Sequence, residues 1–179
     1  MAAPALSPTL LPADKLVESA GTVLFRLLTH EICILRLLNK RDEYVLPKGR
    51  RNIAESRQAA ALRETTEETG VPCHLLPVDL VSRITPSIQD PHVPDEPRLF
   101  KGACEPIAMQ QRRTGDVTKL VWWYVAAVSE GEPLCQHEGH KFEVQFCSYD
   151  EALQKLTFKD DCEVVKMAIR LVETSTDER

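Results

Sequence analysis

No stretch of this chain is apolar for long enough to span a bilayer, and "MAAPALSPTLLPADKL" has no basic segment followed by an apolar core of signal-peptide length. These absences predict a soluble, cytoplasmic protein with no membrane partner, although a mature secreted domain carrying an added initiator methionine would read the same way. The six cysteines stand singly at 33, 73, 104, 135, 147 and 162, with no Cys-x-x-Cys and no Cys/His pair at zinc-ligand spacing. That pattern disfavours a disulfide framework or a zinc site and points to free thiols in a reducing compartment. Positive charge is not in excess either. The 22 Lys and Arg against 27 Asp and Glu leave a formal net charge of -5, which argues against wholesale nucleic-acid binding while leaving room for a local basic pocket.

What is present is an ordinary globular composition, 43% apolar and 27% charged over 179 residues, enough for one domain with a complete core. Residues 1–14, with three prolines, and the polar "TSTDER" at 174–179 read as loose tails around a domain at 15–173. "AGTVLFRLL" and "EICILRLL" predict a hairpin, and "EYVLP" a third strand closed by Pro47. Alanine, glutamate and arginine dominate 56–69, a helix with Ser56 as N-cap and Gly70 as its stop. A strand is expected near 73–81. Five prolines and no sustained periodicity make 86–116 a long excursion, of the kind that often covers a site, with at most a short strand near "PIAMQQ". "TKLVWWYVAAVSE" reads as the central strand, "KFEVQFCS" as another, and "SYDEALQKL" and "CEVVKMAIRLV" as helices. Strands with helices before and after them give an α/β sandwich with a mixed sheet.

The chemistry concentrates on the helix. Taking about 100° per residue from Glu64, the residues Arg57, Ala60, Ala61, Glu67 and Glu68 fall on one face, while Ala59, Leu62, Thr66 and Thr69 form the opposite, core-facing side. Three glutamates at such spacing repel one another by a few tenths of a kcal/mol per pair. A solvated acidic face is one reading. The other is a hard cation, Mg2+ or Mn2+, which prefers carboxylate oxygens and keeps waters for a substrate phosphate.

"GRRNIAESRQAAALRETTEETGV" matches the Nudix box at every fixed position: Gly49, Glu55, Arg63, Glu64, Glu67, Glu68 and Gly70. At usual residue frequencies such a match arises by chance about once in 10^8 to 10^9 starts. Thr65 stands where the pattern prefers an aliphatic residue. By this resemblance the fold is the Nudix α/β/α sandwich with its loop-helix, and the activity is attack of water on a diphosphate linkage. It implies metal binding by Glu64 and Glu68, helped by backbone carbonyls near Lys48 and Gly49. Glu67 orients or deprotonates the attacking water, and Glu64 and Glu67 are the catalytic pair. It also implies that Arg63 pairs with Glu55 to hold the loop on the helix, with Gly49 and Gly70 serving conformation. Relatives differ in which group is the base, sometimes using a glutamate of a later loop; Glu138 and Glu143 are the candidates, each with a plainer reading as a surface charge.

The cations Lys40, Arg41, Lys48, Arg50 and Arg51 lie within twelve residues just before the helix and suit a very anionic small molecule. "TVLFR", "YVLPKG", "TKLVWWYVAAV" and "FCSYDEALQKLTF" resemble the diphosphoinositol polyphosphate phosphohydrolases, which implies phosphate-binding roles for Arg26, Lys40, Lys48 and Lys119. "KGRR" is closer to the diadenosine polyphosphate hydrolases, Glu18 and Ser19 stand where the first branch has basic residues, and "ESAGTVLF" and "LPKGRRN" resemble fungal-type members. Arg98, Lys101, Arg112 and Arg113 of the excursion could cap either ligand. An adenine would want an aromatic platform, and strand alternation lets only one of Trp122 and Trp123 face a given side; core packing is the plainer reading of both. The expectation carried forward is an inositol pyrophosphate substrate. A dinucleoside polyphosphate or other nucleoside diphosphate derivative is the alternative, and a catalytically silent phospholigand-binding module is the reading of another class.

Overall fold

The computed structural model describes residues 9–40, 42–86, 92–135 and 141–176. In chain order the strands and helices are β1 (Leu16–Arg26), β2 (Glu31–Leu37), β3 (Tyr44–Val45), β4 (Lys48–Arg50), α1 (Arg57–Thr69), β5 (Cys73–Leu75), β6 (Val78–Ser82), β7 (Arg98–Ala103), β8 (Ala108–Thr114), β9 (Val117–Val128), β10 (Phe142–Ser148), α2 (Tyr149–Lys155) and α3 (Lys159–Thr176). The main sheet is mixed. β9 lies at its heart, parallel to β1 from Leu16 against Thr118 to Phe25 against Ala127, and antiparallel to both β5 and β8. Its run of branched and aromatic residues, buried on both faces, is what a central strand requires.

Period-two alternation distributes the strands between two layers. Val23, Phe25, Val121 and Trp123 pack with Val164, Val165 and Ala168 of α3, whereas Ala20, Leu24, Tyr124 and Ala126 face the α1 side. The β1 edge away from β9 is divided. β2 pairs with its last residues, Phe25 and Arg26, and β4 pairs with its middle, Ser19 to Gly21. This fork lets a backbone strand come up beside α1.

α1 begins where Ser56 Oγ accepts the N–H of Ala59 at 3.0 Å and ends at Gly70, whose φ of 71° continues into the left-handed region. Its packing face differs from the expected one. Ala60, Ala61, Thr65, Glu68 and Thr69 are buried, while Ala59 is exposed and Leu62 and Thr66 are half-buried. The cause lies in the partner: small side chains at 60 and 61 approach Ala20 on β1, and Thr65 meets Thr22 in a buried hydroxyl pair at 2.9 Å. The alanines are therefore packed against the sheet instead of leaving room for a ligand.

Two further expectations are corrected. The strand near 73–81 is broken at Leu76 and Pro77, and β6 leaves the main sheet to pair with β7. Among the described residues the excursion holds β7, and then β8, which is the short strand expected near "PIAMQQ" and borders β9 along seven residue pairs. Both strands are polar or half-exposed, so local propensity does not declare them, and pairing with a neighbour does. α3 also runs to Thr176, beyond 173, because Ser175 is buried and its Oγ accepts the N–H of Asp79 at 2.8 Å.

Candidate active site

The acids of α1 gather at the fork. Glu68 is only 8% exposed, and its carboxylate accepts the backbone N–H of Lys48 at 2.8 Å. Glu64 lies against Gly49, so that any side chain at 49 would overlap its carboxylate. That close approach is the reason for glycine here, since Gly49 sits in a strand and not at a positive φ as expected; of these two glycines, Gly70 is the one in the left-handed region. Glu67, on the outer side, has a side chain 52% exposed, against 15% for Glu64. One rotation of the helix thus grades three chemically identical groups from buried to solvated.

Arg63 ties them together. Its guanidinium donates to both oxygens of Glu55 at 2.7 and 3.0 Å, to the Arg50 carbonyl at 2.9 Å, and through a single nitrogen to Glu64 at 2.8 Å and Glu67 at 2.9 Å. The forked bond from Arg63, with the Asn52 N–H, holds the Glu55 carboxyl at about 2. The loop before α1 is therefore clamped to the helix by an ion pair and backbone bonds, the pairing that the family resemblance implies.

Two carboxylates converging on one cationic nitrogen form a hard-oxygen donor set, and its chemistry fits a divalent cation. Among the described residues no three His, Cys, Asp or Glu groups stand close enough together to hold an ion with the side chains as they are. Glu64 and Glu67 are both bonded to Arg63, and Glu67 is the most exposed of the three helix acids.

The expected cations disperse. Lys48 is at the fork and Arg50 follows it on β4. Arg51 donates to Glu18 at 3.0 Å and to the carbonyls of Asn52 and Glu55, so it pins the loop. Arg26 pairs with Glu31 at 3.2 Å and stacks 3.6 Å above the Phe146 ring, four residues along β1 from Thr22, or about 13 Å. Lys40 pairs with Glu43 in the turn after β2. Lys119 shares the face of Val121 and Trp123, opposite α1, by strand alternation. Arg41 and Glu138 lie outside the described residues. Glu143 bonds Arg36 across the β2–β10 ladder, and its neighbours Val144 and Phe146, not Glu143 itself, face the α1 side, so it does not join the acids. Arg98 pairs with Glu96, and Arg113 bonds the Gly115 carbonyl. Trp123 is wholly buried in the core. Trp122 lies on the α1 side with the Arg57 guanidinium 4.1 Å above its ring.

Sequence reasoning missed Glu18, Arg57 and Tyr124, which with Arg51, Glu55 and Glu105 line a cavity of about 430 Å3 at the start of α1. Burial opposes charge on Glu18, yet the bonds from Arg57 and Arg51 hold its carboxyl below the usual range. The only signal was Glu18 itself, an acid inside an apolar strand.

The NUDIX domain model matches residues 18–166, and the chain belongs to that family. It is accordingly a hydrolase acting on phosphoanhydride-containing substrates. Among solved structures, an Ap4A hydrolase from C. elegans in a binary complex is similar with a TM-score of 0.61 and 16% identity, over 88% of this chain and 98% of that one. A NUDIX hydrolase from Nitrosomonas europaea has a TM-score of 0.58 and 13% identity over 86% and 88%, and the E. coli ORF135 protein 0.55 and 18% over 89% and 93%. At such identities the likeness is one of fold. No curated protein matches the sequence significantly.

Proposed function

We propose that this protein is a Mg2+-dependent hydrolase, with Mn2+ able to substitute, that cleaves a diphosphate linkage in a small phosphate-rich molecule. The observation that carries it is the convergence of Glu64, Glu67 and Glu68 at the β1–β4 fork. These three carboxylates, with backbone oxygens near Lys48 and Gly49, would hold the ion. When bound, a divalent cation neutralises phosphate charge and lowers the pKa of a coordinated water. The chain's own contribution is graded by burial. Glu68 is held still by the Lys48 N–H, Glu64 is wedged at Gly49, and the solvated Glu67, bonded to Arg63 at its outer side, would accept a proton from water on leaving that bond.

Of the two substrate classes, the dispersal of cations favours a dinucleoside polyphosphate over an inositol pyrophosphate. A fully phosphorylated ring needs cations on many sides, whereas Arg26, Lys40, Arg51 and Arg57 are each neutralised by a carboxylate. In the cavity at the start of α1, Glu18 is paired with Arg51 and Arg57 and Glu55 with Arg63, and Glu105 adds a negative charge, so the cavity offers no surplus of cations to further phosphates. The C. elegans neighbour, an Ap4A hydrolase, supports the same choice. An inositol pyrophosphate remains the second reading on the strength of Lys48, Arg50 and Lys119. A silent ligand-binding module would not need the intact acid set. The test is a side-by-side panel of diadenosine polyphosphates, nucleoside diphosphate derivatives and diphosphoinositol polyphosphates with Mg2+, using Glu64→Gln as control. Faster turnover of the inositol compound reverses the substrate choice, and no metal-dependent turnover of any compound removes the enzymatic proposal.

A further inference from the structure

Most of the charge around the cavity at the start of α1 is already matched. Two Arg57 nitrogens donate to one Glu18 oxygen at 2.9 and 2.8 Å, Arg51 donates to the other at 3.0 Å, and Glu55 is held by Arg63. Two lining groups are left open. Among the described residues the Tyr124 hydroxyl has no hydrogen-bond partner, and the Glu105 carboxylate has neither a hydrogen bond nor an ion pair, yet both residues border the cavity. Tyr124 is only 3% exposed and packs with Ala20, Ala60 and Ala61, so the small part of it that is not covered faces this space. A polar group placed so deeply calls for a partner from outside the chain. Burial, and then the negative charge of Glu105, push the hydroxyl up to about 12, so it stays protonated and able to donate at neutral pH.

The wall beside them is flat. The Arg57 guanidinium lies 4.1 Å above the Trp122 ring, and Arg57 borders the cavity where Trp122 does not. Backed by the indole and fixed by Glu18, the guanidinium presents its other face as a platform for a planar ring. The cavity volume of about 430 Å3 falls in the range of small-ligand sites. A fitting group therefore has a face to stack, an acceptor for the Tyr124 O–H and, beside it, an N–H donor for Glu105. Adenine carries a ring-nitrogen acceptor next to its exocyclic amine, whereas guanine and hypoxanthine carry there a carbonyl oxygen that a carboxylate repels. Glu55 borders the cavity and bonds Arg63, which in turn bonds Glu64 and Glu67, so one guanidinium separates this space from the acids.

We propose that this cavity takes the adenine of the substrate, stacked on Arg57, with Tyr124 and Glu105 reading its amino edge. The role of the base in turnover rests on the dinucleoside polyphosphate reading; its binding does not. Adenosine and inosine, which have no phosphate, are therefore titrated calorimetrically into the full chain in EDTA, where metal plays no part. The wild type binds adenosine about tenfold more tightly than inosine. Tyr124→Phe weakens adenosine about tenfold, the scale of one lost hydrogen bond. Glu105 is exposed, so its replacement leaves the fold intact. Glu105→Gln, whose amide can donate to a carbonyl oxygen, brings the two nucleosides within about twofold of each other. No adenosine binding by the wild type, equal affinity for the two nucleosides, or an adenosine affinity that Tyr124→Phe leaves unchanged overturns the site. Adenosine binding in the expected pattern without turnover of any diphosphate compound refutes the proposed activity and leaves the base site standing. Turnover of diadenosine polyphosphates with the same kcat/KM in wild type and both variants keeps the hydrolase and overturns the base site.

Discussion

Replacing Arg63 with lysine keeps the charge and removes the fork. The guanidinium makes five hydrogen bonds, two to Glu55 and one each to Glu64, Glu67 and the Arg50 carbonyl, and an ammonium has three N–H groups on a single point. The consequence is readable through Glu55, whose carboxyl falls from its usual 4.5 to about 2 in the folded protein, first because of the Arg63 bond. A shift of that size corresponds to about 3 kcal/mol at most, and solvent screening at a rim position reduces it to about 1–2 kcal/mol. Because the folded value is depressed, this stability is fully present above the unfolded value of 4.5 and is lost as pH falls towards 2. Urea unfolding in EDTA at steps from about pH 5 down to about pH 2 should show the wild type losing that increment. Arg63→Lys should lose much less of it, because its Glu55 already titrates near the usual value, and Glu55→Gln should lack this component altogether. Parallel curves for wild type and Arg63→Lys would refute the clamp.

Gly49→Ala should cut kcat/KM by about a hundredfold or more while the fold survives, since the new methyl displaces the Glu64 carboxylate and β4 tolerates alanine in its extended backbone; circular dichroism beside the kinetics separates the two effects. Thr65 Oγ spends its proton on the Ala61 carbonyl at 2.7 Å, so Thr22 is the donor in the buried pair. Thr65→Val, which strands that donor, should cost about 1–2 kcal/mol, and the double change to valine should cost less than the sum of the singles in chemical denaturation. Ser56→Ala removes the cap on Ala59 and should lower stability by about 1 kcal/mol, with Ser56→Asp restoring it.

Much of the site was readable along the chain because it is local. Helical geometry alone brings residues 64, 67 and 68 to one side, and Ser56 and Gly70 bound the helix by capping chemistry, while the family and the Arg63–Glu55 clamp followed from the resemblance of the motif. The central strand announced itself by being apolar on both faces. What failed was whatever depended on a partner distant in sequence. β7 and β8 have weak patterns of their own and exist because β6 and β9 offer them edges. The basic cluster looked assembled in the chain, yet its Arg51 is taken by Glu18, 33 residues away; outside the cluster, Arg57 bonds the same Glu18, 39 away, and Arg112 bonds Asp161, 49 away. Composition and periodicity determined which charges this protein owns and where its acids lie on the helix. Only the tertiary structure decided which of them are neutralised and how deeply each glutamate is buried, because Coulomb and desolvation energies depend on distances through space that local periodicity does not encode.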